Sequence, residues 1–276
     1  MVLFFLLKRV FQTFPCSGVG MKKYKLFFLL VQNIVFGNAG RRLLIYPVFI
    51  LSIFFFSCKQ KPEEYNEQGM VKYESGNYND AIELFTKAID KNPDNSNLYY
   101  NRGNTYGKLG KYNEAISDYT KAIEFNPNDA VSYCNRGSAY CIYLKEYSKA
   151  ISDCTKAIEI KPDYAEAYYN RGSAYYFIKD FNDAISDFTK AIELNPTFAD
   201  AYNNRGKIYY DLKEYSKAIS DYDKAIGINP DYAVAYLNRG VTYLMSGLKN
   251  NACDDLRKAY SRGNTQAEDM LNKYCK

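Results

Sequence analysis

Arginine, aspartate and asparagine recur along this chain at one interval. Arg102, Arg136, Arg171, Arg205 and Arg239 follow one another after 34, 35, 34 and 34 residues. Asn101, Asn135, Asn170, Asn204 and Asn238 stand immediately before them, and Asp118, Asp153, Asp187, Asp221 and Asp255 follow in the same order. A guanidinium presents a rigid fork of donors that matches a carboxylate. A side-chain amide offers both a donor and an acceptor. This is the chemistry of holding, not of bond breaking. The chain has no histidine, so the commonest general base and a common metal ligand are both missing. No nucleophile–base constellation, phosphate loop or metal-ligand cluster is legible. The chain reads as a non-enzyme with no cofactor and no metal site.

Residues that recur this way must be carried by a recurring element. Its clearest copy is Ala165–Phe198, AEAYYNRGSAYYFIKDFNDAISDFTKAIELNPTF. Tyr168, Arg171, Gly172 and Tyr175 fall on one stripe of a helix, and Ala184, Ile185, Phe188, Ala191 and Ile192 on the stripe of a second. Asn79, Asn113, Ser148, Asn182 and Ser216 are expected to start and cap the second helices. Pro93, Pro127, Pro162, Pro196 and Pro230 stop them. Neither stripe can be hidden by one hairpin alone, whereas stacked copies bury each other's.

A helix–turn–helix period of 34 residues resembles the tetratricopeptide repeat. The second copy carries Tyr99, Gly103, Tyr106, Ala115, Tyr119, Ala122 and Pro127 at that family's positions, and the fifth carries Tyr202, Gly206, Tyr209, Ala218, Tyr222, Ala225 and Pro230. The fold expected is an all-α solenoid of about six helix–turn–helix repeats plus a C-terminal capping helix. Residues 62–266 divide into repeats at 62–95, 96–129, 130–164, 165–198, 199–232 and 233–266, and 267–276 form the cap. The third repeat holds one extra residue between Tyr140 and Leu144. It is read as a longer turn, with a π-bulge as the other reading.

The first 58 residues stand apart. They contain seven basic residues and no acidic one, which leaves 29 basic against 31 acidic in the rest. The repeats therefore have no basic footprint for nucleic acid. Arg41-Arg42, the apolar run Leu43–Phe56 and Ser57-Cys58 resemble a bacterial lipoprotein signal with Cys58 lipidated; an uncleaved anchor with an incidental cysteine is the other reading. Residues 1–57 are read as a leader or signal segment, with the true start left open by Met21-Lys22-Lys23, and 58–61 as a tether. A membrane is thus expected as a partner through the N-terminal lipid or hydrophobic segment. The expected location is membrane-anchored and facing the periplasm or cell exterior, or the cytoplasm if an uncleaved anchor has the opposite orientation.

Of the seven cysteines, Cys134 and Cys141 sit about 10 Å apart along one helix, too far to bridge. The spacing does not fix whether Cys253 and Cys275 meet. The first repeat lacks both the Arg and the Asp, with Gln68 and Leu84 in their places. That joint loss points to pairs within each repeat: Arg102–Asp118, Arg136–Asp153, Arg171–Asp187, Arg205–Asp221 and Arg239–Asp255. They are read as structural.

The resemblance implies that first helices line a concave groove. There the five asparagines form a ladder able to hold an extended main chain, with Tyr100, Tyr169, Tyr176, Phe177 and Tyr210 beside it for stacking. A related subfamily clamps C-terminal carboxylates, but of its positions here (Asn66, Met70, Asn101, Val131 and Asn135) only Asn101 matches. The expected function is a membrane-tethered scaffold that binds an extended peptide or protein partner in the groove. The alternative is a chaperone-like holdase for secreted or envelope proteins.

Overall fold

The computed structural model describes residues 60–275. Among these, thirteen α-helices and one π-helical turn follow one another. The six first helices are α1 (Pro62–Glu74), α3 (Ser96–Lys108), α5 (Ala130–Ala139), α7 (Ala165–Phe177), α9 (Ala199–Asp211) and α11 (Ala233–Met245). The second helices are α2 (Tyr78–Lys91), α4 (Tyr112–Phe125), α6 (Tyr147–Ile160), α8 (Phe181–Leu194), α10 (Tyr215–Ile228) and α12 (Lys249–Ser261), and α13 (Gln266–Tyr274) follows. Each first helix packs on its own second helix, and each second helix packs on the next first helix. Neighbouring first helices also touch, whereas neighbouring second helices make little or no contact. The stack therefore curves toward the first helices, which line its concave side.

The stripes explain the packing. Ala81, Ala115, Ala150, Ala184, Ala218 and Ala252 are at most 1% exposed, and Phe85, Cys154, Phe188, Tyr222 and Leu256 fill the space beside them. The crossing at Gly137 is close: a Cβ there would lie 2.8 Å from Cys154 Sγ. Each hairpin turns through a residue of positive φ. Gly76, Gly110 and Gly247 fill this place in three repeats, but Lys145, Lys179 and Lys213 hold it in the others, at φ 55°, 66° and 62°.

Three expectations change. The second helices begin at the aromatic residue before the expected caps, so Asn79, Asn113, Ser148, Asn182 and Ser216 lie inside them. Among the five flanking residues, only Asp180 caps with its side chain, accepting from the Asp183 N–H. The aromatic is drawn into the helix because it packs there, as Tyr147 and Phe181 do. The extra residue of the third repeat does not lengthen the turn. It winds Tyr140–Leu144 into a π-helix that continues α5 and ends at Lys145. The loop stays short, and the added residue is absorbed where Cys141 is buried and Ile142 exposed.

The third change concerns the membrane. Among the described residues no helix is long and apolar enough to cross one. Cys58, expected to be lipidated, and the segments expected to act as anchor and leader lie outside the described residues. The membrane tether, the membrane as a partner and the membrane-anchored location are therefore withdrawn from the functional reading.

At the other end, α13 lays Ala267, Met270 and Leu271 on Tyr236, Leu256 and Ala259. A disulfide between Cys253 and Cys275 joins this cap to α12. Cys134, Cys141 and Cys154 are free and buried.

Candidate functional site: the first-helix face

The five arginines run from first helix to second within each repeat. Arg171 Nε and Nη2 donate to the two carboxylate oxygens of Asp187, both at 2.8 Å. Arg102, Arg136, Arg205 and Arg239 make the same fork to Asp118, Asp153, Asp221 and Asp255. The carboxylates are 3–7% exposed. The hydrogen bonds to Asp187 and Asp221 hold the Arg171 and Arg205 guanidinium groups above their ordinary range. Burial pushes the Asp187 carboxyl up, against the pull of Arg171. None of these arginines is left over to receive an anionic ligand.

Sequence reasoning missed a second tie. The remaining arm of each guanidinium reaches the second helix of the preceding repeat. Arg102, Arg136, Arg171 and Arg205 donate through Nη1 to Thr86, Thr120, Thr155 and Thr189 at 2.9–3.1 Å. Arg239 finds Asp223 in that place. The signal was present, because these residues recur with the same period. Each guanidinium also lies over the ring of the tyrosine three residues earlier, at 5.6–5.8 Å, a cation–π contact. One side chain thus braces two helices of its own repeat and the repeat before it.

The asparagine ladder is half-buried along the first helices, and one donor of each amide is already used. Asn101 donates to Asn66 Oδ1 at 2.9 Å, Asn135 to Asn104 Oδ1 at 3.0 Å, and Asn238 to Asn203 Oδ1 at 2.9 Å. Asn170 donates to Cys134 Sγ at 3.2 Å and Asn204 to the Tyr169 hydroxyl at 3.0 Å. Every one of these bonds crosses to the preceding first helix. Asn204 Oδ1 accepts from Asn203. The Oδ1 atoms of Asn101, Asn135, Asn170 and Asn238 accept no hydrogen bond from the described residues.

The five aromatics divide. Tyr169 packs between Phe188 and Phe198, and burial lifts its hydroxyl to about 12. Tyr100 leans on Tyr119 and Tyr210 on Tyr215. Tyr176 donates to Asp211 at 3.1 Å and lies under Lys207 Nζ at 5.0 Å. Phe177 is the one left open, 51% exposed, with its ring stacked on Tyr147. Among the described residues no group of three or more His, Cys, Asp or Glu is placed to hold a metal ion.

A tetratricopeptide repeat profile matches residues 96–129, 165–198 and 199–232, and two further repeat profiles match 69–110 with 141–177, and 118–152. The chain belongs to the tetratricopeptide repeat family. Among solved structures, a crystal structure of MamA protein is 31% identical to this repeat chain, with a TM-score of 0.53, covering 63% of this chain and 94% of that one. A tetratricopeptide repeat protein from Parabacteroides merdae is 23% identical, with a TM-score of 0.62, over 78% of this chain and 84% of its own. The pilF protein of Pseudomonas aeruginosa is 18% identical, with a TM-score of 0.66, over 77% and 97%. The last two likenesses concern the fold alone. No curated protein matches the sequence.

Proposed function

We propose that this repeat chain is a non-catalytic scaffold that holds an extended peptide or protein segment in its concave groove. The observation that carries this reading is the row of unspent amide carbonyls. With one N–H of each fixed to the preceding helix, Asn101, Asn135, Asn170 and Asn238 are held in place as acceptors for main-chain N–H groups. An acceptor row engages any extended backbone and selects no sequence by itself. Pre-ordering by the inter-repeat bonds lowers the entropy cost of binding.

The test is selection of random dodecapeptides displayed on phage against the purified chain, followed by fluorescence polarisation on the recovered peptides. Asn135→Ala with Asn170→Ala is expected to weaken them about tenfold or more, an order of magnitude consistent with losing two hydrogen bonds to the ligand. Because both side chains also tie repeats together, the thermal midpoint is followed in parallel. Unchanged affinity in a folded variant, or recovery of no peptide at all, sinks the proposal.

A further inference from the structure

All six hairpin turns lie on one edge of the stack, because the first helices run in one direction and each turn follows one of them. The turn residue of positive φ is glycine in the first, second and sixth repeats, where that conformation has no steric cost. In the third, fourth and fifth it is Lys145, Lys179 and Lys213. An L side chain held there is strained, and strain kept in three successive repeats points to a use other than stability. The π-turn keeps this row intact. Its added residue is wound into the helix, so Lys145 holds the same place as Lys179.

The same turns expose apolar side chains. Tyr143, Phe177, Ile178 and Leu212, each within two residues of its lysine, are 41–51% exposed, and Met245 and Leu248 continue the row into the sixth repeat. The first and second repeats hold Glu74-Ser75 and Lys108-Leu109 at these places, with Leu109 half-buried. Tyr143 stacks on Tyr112 of the preceding repeat and Phe177 on Tyr147, so the row is held in place from one repeat to the next. A contiguous exposed apolar row marks an interaction surface.

The carboxylates beside the lysines are engaged. Asp180 accepts from the Asp183 N–H and Asp211 from the Tyr176 hydroxyl. Glu146 pairs with Lys149 and Glu214 with Lys217, whereas Lys145, Lys179 and Lys213 form no ion pair among the described residues. The N–H groups of these lysines and of the residues after them are spent inside the hairpins, as Lys179 on Tyr176 and Asp180 on Tyr175, both at 3.0 Å. The edge thus offers side chains rather than backbone. That suits a helix, whose own backbone groups are satisfied, better than an extended strand. Packed helices stand about 8–10 Å apart, and a helix rises about 10 Å in seven residues. Every seventh residue of a helix laid along the edge therefore meets the next repeat.

We propose that the turn edge of repeats three to six docks an amphipathic α-helix of a protein partner. The helix lays an apolar residue at every seventh position along the row from Tyr143 to Met245 and sets acidic residues opposite Lys145, Lys179 and Lys213. A lipid surface fits less well, since anionic headgroups would repel Glu146, Asp180, Asp211 and Glu214 on the same edge. The surface is separate from the asparagine row and does not depend on it.

The probe is a helical peptide of three heptads, each with one leucine and a glutamate four residues after it, titrated into the 15N-labelled full chain. Its controls are the same peptide with glutamine for glutamate and a shuffled peptide of equal composition without the seven-residue period. The glutamate peptide is expected to shift the amides of Tyr143, Ile178 and Leu212 and to leave Asn101 and Asn135 unmoved. It should bind about tenfold tighter than the glutamine peptide, as three exposed ion pairs acting together allow. That ratio should vanish when Lys145→Gln, Lys179→Gln and Lys213→Gln are combined. Ile178→Asn with Leu212→Asn, both at exposed positions and so expected to fold, should weaken both peptides at least about tenfold. No saturable binding by about 1 mM, equal binding of the shuffled peptide, a ratio that survives the triple lysine variant, or shifts in the asparagine row instead would overturn the proposal. So would binding to phosphatidylglycerol vesicles that the Ile178→Asn, Leu212→Asn variant loses, or a dimer of the chain that the same variant breaks, since either gives the edge another occupant.

Discussion

Removing one arginine of the brace should cost far more than removing its pair. Take Arg171→Gln. Asp187 is 5% exposed and receives both of its hydrogen bonds from Arg171 at 2.8 Å. Without them a carboxylate is left unpaired in the helix–helix contact, at a cost of about 3–5 kcal/mol. The lost bond to Thr155, at 3.1 Å, adds about 1 kcal/mol. Now make Arg171→Gln with Asp187→Leu, which copies the Gln68 and Leu84 of the first repeat. No buried charge remains, and replacing a buried pair by apolar groups is often neutral. The double variant should therefore regain at least about 2 kcal/mol of the loss. With a urea dependence of about 2 kcal/mol per molar, the single variant shifts the circular-dichroism midpoint down by about 2–3 M, and the double variant recovers at least about 1 M of that. A pH test follows from the same group. Burial already raises the Asp187 carboxyl in the folded chain, and loss of Arg171 raises it further. The folded variant then takes up a proton that the unfolded chain releases, so its stability rises as pH falls below the raised value. The deficit of the single variant should shrink between pH 8 and pH 5. Equal midpoints for single and double variants, or a deficit that ignores pH, would refute the argument from an unpaired charge.

Three further outcomes are expected. Lys145→Gly, Lys179→Gly and Lys213→Gly each relieve a side chain held at positive φ and should each raise stability by about 1 kcal/mol, measured as urea midpoints. Reducing the Cys253–Cys275 bond, or making Cys253→Ser, releases a 22-residue loop; the last repeat should lose about 3 kcal/mol, read as faster hydrogen exchange in α12 and α13 with α7 unchanged. Burial holds the Cys134 and Cys141 thiols at about 11 and the Tyr169 hydroxyl at about 12. Above pH 9 the unfolded chain therefore gives up protons that the folded chain keeps, and stability should fall progressively from pH 9 to 12. In the native chain at pH 8, peptide mapping should find those two cysteines unalkylated.

The rows of Arg, Asp and Asn can be read from the sequence because a fixed period marks them against changing neighbours. What each atom does cannot. Thr86, Thr120, Thr155 and Thr189 keep the same register, yet only the packed helices show them under the third arm of the arginines. The cap residues mislead for a related reason: local preference places Asn182 at a helix start, while the packing of Phe181 draws the boundary one residue earlier.

By itself the sequence determined that this is a helical repeat chain, how long each unit is and which stripes face inward. Periodicity is a local property and survives in one dimension. Tertiary structure decided the rest, since each of these outcomes depends on distances between residues remote in sequence. The extra residue of the third repeat became a π-turn, and Cys253 found Cys275. Each asparagine of the row spent one N–H on the preceding first helix.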